Sequence, residues 1–164
     1  MILEKIEFCA EEILNKLNLK ILPIPVEEIA NKLQIKISRA PSGDFSGMLI
    51  RKDGRALIGI NSNEAPVRQR FSIAHELGHF SLHPRKDTFV DFRDNKKDVM
   101  RTPIEKQANM FATSLLMPRS LLEKDFRILS KDGFTEDELS ELAEKYQVSE
   151  EAMKFRLMNL NLHF

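Results

Sequence analysis

The sequence contains one cysteine, Cys9, no surplus of charge of either sign, and no apolar run approaching the ~18 residues of a membrane helix. A lone cysteine excludes an intrachain disulfide framework, which small secreted domains often need. Cys9 lies among helically spaced apolar residues and reads as a small buried hydrophobe. Lys+Arg and Asp+Glu number 25 each. No global basic field therefore draws the chain to nucleic acid or to an anionic membrane. The opening residues MILEKIEFCAEEIL are interrupted by Glu4, Glu7, Glu11 and Glu12, so they do not form the apolar core of a signal peptide. The expectation is a cytoplasmic protein without a membrane partner.

What the chain does have is material for a core. Of its 164 residues 42% are hydrophobic and 30% charged, which suits one compact domain, or one with a small appendage. Leu3, Ile6, Ala10, Ile13, Leu14 and Leu17 share one helical face over residues 3–18. Leu22-Pro23-Ile24-Pro25 breaks the chain before a short helix VEEIANKL, and QIKIS alternates as a strand. Residues 45–51 and 55–60 read as a hairpin around Lys52-Asp53-Gly54, where glycine supplies a positive φ. Asn61-Ser62-Asn63-Glu64 offers caps for a helix over 65–83, with Pro66 in its first turn. Residues 85–101 read as a polar excursion with a short strand at Thr88–Phe92. Thr102-Pro103 opens another helix, ending near Pro118. Further helices are expected at 120–129, 136–146 and 149–160, the second of them led by the capping box Thr135-Glu136-Asp137-Glu138.

The chemistry is concentrated in His75-Glu76-Leu77-Gly78-His79, inside the helix 65–83. At 3.6 residues per turn, His75 and His79 lie on one face and can grip one ion. Glu76, one residue off that pair, is placed to reach a metal-bound water rather than the metal. Zinc brings such a water towards a pKa of ~7, where a carboxylate can take its proton. The helix is apolar nearly all round, with Val67, Phe71, Ile73, Ala74, Leu77, Phe80 and Leu82, and should be buried. Burying two histidines and a glutamate without partners would cost several kcal/mol, which a metal offsets. Histidines simply hydrogen-bonded on a half-exposed face are the ordinary alternative. Gly78 costs ~1 kcal/mol relative to alanine in a helix interior, which points to a close approach by another backbone or by the metal site.

A catalytic zinc needs a third protein ligand. In the next helix Glu105, Ala108, Asn109 and Ala112 share a face, and the small residues there would let two helices approach. By spacing alone, Glu105 competes with the other downstream acids, and a first-turn glutamate is ordinarily a surface group favoured by the helix dipole. RFSIAHELGHFSLH followed by EKQANMFATSLLMP resembles the ImmA/IrrE family of metallopeptidases. The order of motifs matches: Arg-Phe before AHELGH, a His four residues after, an ExxANxFA helix, then LLMP. The resemblance is close over residues 45–120 and looser to the end.

The resemblance implies a gluzincin-like site, with His75, His79 and Glu105 on one Zn2+ ion and Glu76 as general base. Gln107 stands where many family members have Glu, a harmless change if Glu105 is the ligand. It also implies an α+β fold: a zincin-like domain with a small, mostly antiparallel sheet packed on the HExxH helix. In zincins the substrate lies along a sheet edge, and either hairpin strand, 45–51 or 55–60, is a candidate for that edge. The oxyanion would want a donor besides zinc, for which His83, Asn109, Arg70 and Tyr146 are candidates. His83 also has a plainer reading, a helix-end histidine bonded to carbonyls.

Residues 131–164 resemble a helix-turn-helix appendage, packed on the peptidase domain of residues 1–130. Over 135–164, seven acids oppose Lys145, Lys154 and Arg156 (3 − 7 = −4). That charge favours packing or substrate docking over DNA binding. The family's substrate is typically a Cro/C1-type helix-turn-helix repressor, often encoded next door, whose cleavage relieves repression of a mobile element or stress regulon. The alternatives are a non-cleaving, repressor-binding module and a transcription regulator with a structural zinc site.

Overall fold

A computed structural model of the chain describes residues 2–92 and 102–162. The elements are α1 (Ile2–Leu17), α2 (Val26–Lys32), β1 (Ile35–Ala40), β2 (Phe45–Lys52), β3 (Arg55–Asn61), α3 (Pro66–Leu82), β4 (Thr88–Phe92), α4 (Pro103–Leu116), α5 (Arg119–Leu129), α6 (Glu136–Tyr146) and α7 (Glu150–Asn159). This is an α+β chain with a small mixed sheet. The polar excursion beyond Phe92 falls outside the described residues.

The hairpin β2–β3 is the centre of the sheet. Asp53 (φ 50°) and Gly54 (φ 73°) both adopt the left-handed conformation, the geometry that matches a two-residue turn to strand twist. Strand order is β1-β3-β2-β4. β1 runs parallel to β3, with Ile35 opposite Ala56. β4 runs antiparallel to β2, with a bulge between Phe45 and Gly47. Two of the three pairings are therefore antiparallel, as expected.

The expected substrate edge is corrected by this order. Neither hairpin strand is an edge, because β1 covers β3 and β4 covers β2. Leu49, Ile58 and Ile60 explain why: they are essentially fully buried, so the hairpin belongs at the centre. The polar segments around it, including the exposed Arg39 and Ala40 of β1, take the rims.

α3 lies against β2 and β3 on one side and runs along α4 on the other; α1 packs on the far side of α4. Ile73, Ala74 and Leu77 of α3 are buried in one core with Leu49, Ile58, Phe111 and Leu115. The polar run before α3 does not cap it. Ala65 occupies the N-cap position without a side-chain bond, and Pro66 follows in the first turn. Asn61, fully buried at the end of β3, instead accepts from the Ser42 and Asn63 amides at 3.0 Å each and donates to Ser42 O at 2.8 Å. Asn61 thus pairs both backbone groups of the half-buried Ser42 in the β1–β2 loop.

Two sequence signals appear as read. Thr102 accepts the Glu105 amide at 3.3 Å and caps α4. Thr135 and Glu138 form the reciprocal box at the start of α6. Gln147, left-handed at φ 53°, ends α6, and Ser149 caps α7 through the Ala152 amide. Arg156 anchors α7 internally: Nε donates to Met117 O at 3.1 Å and Nη2 to Glu7 at 2.6 Å. Arg119 donates to the other Glu7 oxygen at 3.0 Å.

Candidate metal centre

The centre forms where α3 and α4 touch, and Gly78 is what lets them touch. A Cβ added there would lie 3.1 Å from the Ala108 Cα, the Ala108 carbonyl oxygen and the Phe111 Cβ. The approach expected from Gly78 is thus made by the backbone of α4, at one of its small residues. With the helices this close, Glu105 in the first turn of α4 reaches both histidines of α3.

His75 Nε2 lies 3.0 Å from Glu105 Oε2, and His79 Nε2 lies 3.3 Å from Glu105 Oε1. The two histidine Nε2 atoms are 3.0 Å apart. His75 and His79 are 2% and 1% exposed. His75 Nδ1 contacts Asn109 Oδ1 at 2.8 Å. A carboxamide oxygen can only accept, so Nδ1 carries the proton and the neutral ring presents its Nε2 lone pair to the cluster. A second imidazole and a carboxylate are aimed at the same spot. Electron-rich donors so converged fit a divalent cation, which explains the geometry better than mutual contact does.

Electrostatics follow the same arrangement. Burial pushes the Glu105 carboxyl up, but its bonds to His75 and His79 outweigh this and hold it at about 2. Burial pulls His75 down, yet the bond to Glu105 and the charges of Glu76 and Asp91 leave it raised. His79 is lowered, chiefly by burial. Its ring stacks on Phe89 of β4, with centroids 4.0 Å apart and planes 17° apart.

Glu76 is fully buried, and neither carboxylate oxygen has a hydrogen-bond partner among the described residues. Burial raises it to about 8, with His75 opposing and Asp91 and Glu105 adding. Gly47 of β2 faces it, and a Cβ there would stand 3.1 Å from Glu76 Oε1. A buried carboxylate without partners is expensive to keep, and such groups concentrate where a reacting atom is to be met.

Of the four candidate oxyanion donors, Asn109 is engaged with His75 and the Tyr146 hydroxyl donates to Asp125 at 2.9 Å. Arg70 Nε donates to Gln147 O at 3.3 Å. His83 stands one turn beyond His79, with ring centroids 5.6 Å apart; its ring has a backbone bond at Ile104, as the plainer reading expects, while its buried Nε2 has no side-chain partner among the described residues. Sequence reasoning missed Gly47, Phe89 and Asp91. An isolated glycine in a strand pattern is a signal for close approach that would have found Gly47. Phe89 and Asp91 carry no such local mark.

An α+β domain whose two packed helices present a His-His-Glu cluster beside a buried, unpartnered glutamate is a domain built to hold a metal ion. The chain belongs to the Peptidase M78 family, described as the IrrE N-terminal-like domain, whose model matches residues 30–158. It is similar to the radiation response metalloprotease IrrE of Deinococcus deserti, 38% identical over 94 residues, 57% of this chain and 32% of that protein. It is also similar to metallopeptidase ImmA of Bacillus subtilis, 35% identical over 81 residues, 49% of this chain and 46% of that one. An uncharacterized immunity region protein 2 of Bacillus phage phi105 is 41% identical over 61 residues, 37% of each chain. The matched stretches thus span less than half the length of these relatives.

Proposed function

We propose that the chain is a cytoplasmic zinc-dependent endopeptidase with a zincin-like catalytic domain over residues 1–130 and a helical appendage over 131–164. Its substrate is a helix-turn-helix repressor of the Cro/C1 type, and cutting it relieves repression of a mobile element or stress regulon. The observation that carries the reading is the convergence of His75, His79 and Glu105 beside the unpartnered Glu76. Membership of a peptidase family, and the names metallopeptidase and immunity region protein among the relatives, support it.

His75, His79 and Glu105 would hold the ion, which when bound supplies the Lewis acidity that activates water and polarises a peptide carbonyl. Asn109 fixes the His75 ring and its tautomer. Phe89 fixes the plane of His79. Burial raises the Glu76 carboxyl to about 8, and a cation held by its neighbours would favour the ionised form. As the carboxylate, with no competing partner among the described residues, it can take a proton from water at Oε1 or Oε2 and deliver it to the departing amine nitrogen. Mixing the protein, zinc and the repressor encoded beside it tests the reading. A single new cleavage product is expected, absent with Glu76→Gln or with chelator. A repressor left intact under every metal condition would overturn it.

A further inference from the structure

α3 ends with an acceptor that it cannot satisfy by itself. In a continuing helix the Phe80 carbonyl would accept from the amide of residue 84, but Pro84 has no N–H. The last carbonyls of a helix also carry partial negative charge. Arg51, the penultimate residue of β2, meets this end. Its Nη2 donates to Phe80 O at 2.5 Å and reaches His79 O at 3.5 Å. Its Nη1 donates to His83 O at 3.1 Å and to Lys86 O at 2.6 Å. The guanidinium carbon lies 4.8 Å from the centroid of the Phe80 ring. One planar fork therefore joins the last turn of α3 to the link that follows it.

That link leads into β4. The Arg51 amide donates to Asp87 O at 2.7 Å, and the β2–β4 pairing continues from there through Ile50 opposite Thr88 to Leu49 opposite Phe89. Phe89 is the ring stacked on His79. Arg51 thus acts on His79 from two directions, at the backbone of its helical turn and through the strand that carries its stacking partner. His83, whose carbonyl Arg51 holds, bonds through its ring to the backbone at Ile104, the neighbour of Glu105. We propose that Arg51 is a positioning residue of the metal centre, fixing the plane of the His79 imidazole by holding the end of α3 and the start of β4 in one fork. The proposal rests on the metal-binding reading of His75, His79 and Glu105, and adds to it a residue from the central hairpin. A lysine would keep the charge, but it lacks the planar fork that holds these carbonyls together.

Three variants of the full chain test it: Arg51→Gln, Arg51→Lys and, as a control for stability alone, Arg156→Ala, whose guanidinium bonds Met117 O and Glu7 rather than the end of α3. Each is measured in three ways: urea denaturation, zinc affinity by competition with a chromophoric chelator, and the nuclear Overhauser contact between the His79 and Phe89 rings in metal-free protein. Arg51→Gln is expected to lower zinc affinity about 10-fold, the lower end of what outer partners of a metal-binding ring contribute, and to weaken the ring contact. Arg51→Lys should fall between Arg51→Gln and wild type in both. Arg156→Ala should lose stability in urea yet keep zinc affinity and ring contact at wild-type values. Wild-type affinity and ring contact in Arg51→Gln overturn the proposal, whatever the stability of that variant. So does a loss of affinity in Arg156→Ala that matches its loss of stability, because affinity would then follow stability alone. Should Arg51→Gln not fold, Arg51→Lys decides: lowered affinity with a weakened ring contact supports the proposal, and wild-type values overturn it. A wild-type protein that binds no zinc overturns the metal-binding reading instead, while the ring contact, measured without metal, still tests whether Arg51 sets the His79 plane.

Discussion

The Asn109 carboxamide oxygen lies 2.8 Å from His75 Nδ1, one helix holding the ring that the other presents. Partners of this kind set the tautomer and orientation of a metal-binding imidazole, and losing one typically costs about 10–100-fold in metal affinity. Asn109→Ala is expected to weaken zinc binding by about that factor, measured by competition with a chromophoric chelator. Unchanged affinity would remove Asn109 from the centre's construction.

Gly47 faces Glu76 Oε1 with room for hydrogen only. Gly47→Ala should displace the carboxylate by tenths of an ångström. A displacement of ~1 Å can cost about 100-fold in rate, so a smaller but clear fall in kcat is expected. Zinc affinity should stay at the wild-type value, because the atoms nearest an added Cβ belong to Glu76 and Ser72 and not to His75, His79 or Glu105. A variant with full turnover would show that Glu76 has slack at this contact.

Gly78 and Gly43 form a contrasting pair. At Gly78 an added Cβ meets the Ala108 backbone at 3.1 Å, whereas at Gly43 nothing lies within 4 Å. Gly78→Val should lose about 1–3 kcal/mol through overpacking and separate Glu105 from the histidines. Gly43→Ala should be neutral, or gain up to about 1 kcal/mol by restricting the unfolded chain. Urea denaturation of both variants distinguishes these effects from a general intolerance of glycine replacement.

Arg156 is 5% exposed at its side chain and bonded to Glu7. Arg156→Ala leaves Glu7 with Arg119 alone and Met117 O without its donor, and should cost about 1–3 kcal/mol. Burial pushes Glu7 up, but Arg119 and Arg156 outweigh it and hold its carboxyl below the usual value. A depressed folded pKa contributes stability above the unfolded pKa of 4.5. That contribution is lost as pH falls through the folded value. The Tm gap between wild type and Glu7→Gln should therefore be full at pH 6–7 and shrink below about pH 4.5. A gap independent of pH would refute the ionic account.

Much of this was legible along the chain because it is local. Helical spacing put His75 and His79 on one face, Asp53-Gly54 set the hairpin turn, and Thr102 and Thr135 marked helix starts. Each depends on residues within a few positions of one another. Asn61 misled for the same reason: a polar run before a helix looks like a cap until a distant loop, at Ser42, claims it.

The sequence by itself determined the facing histidine pair, the neighbouring Glu76 and the two helices that carry the cluster, since helix periodicity converts spacing directly into direction. Glu105 was nominated by a helix face and preferred by resemblance. Only the packing of α3 on α4 through Gly78 and Ala108 brought it within 3.3 Å of both imidazoles. Tertiary structure alone decided that β1 and β4 are the sheet edges among the described residues, that Phe89 stacks on His79, and that α7 walls a groove against α3 and α4. Those contacts join residues far apart in the chain, and pairings of that kind leave no periodic signature in the sequence.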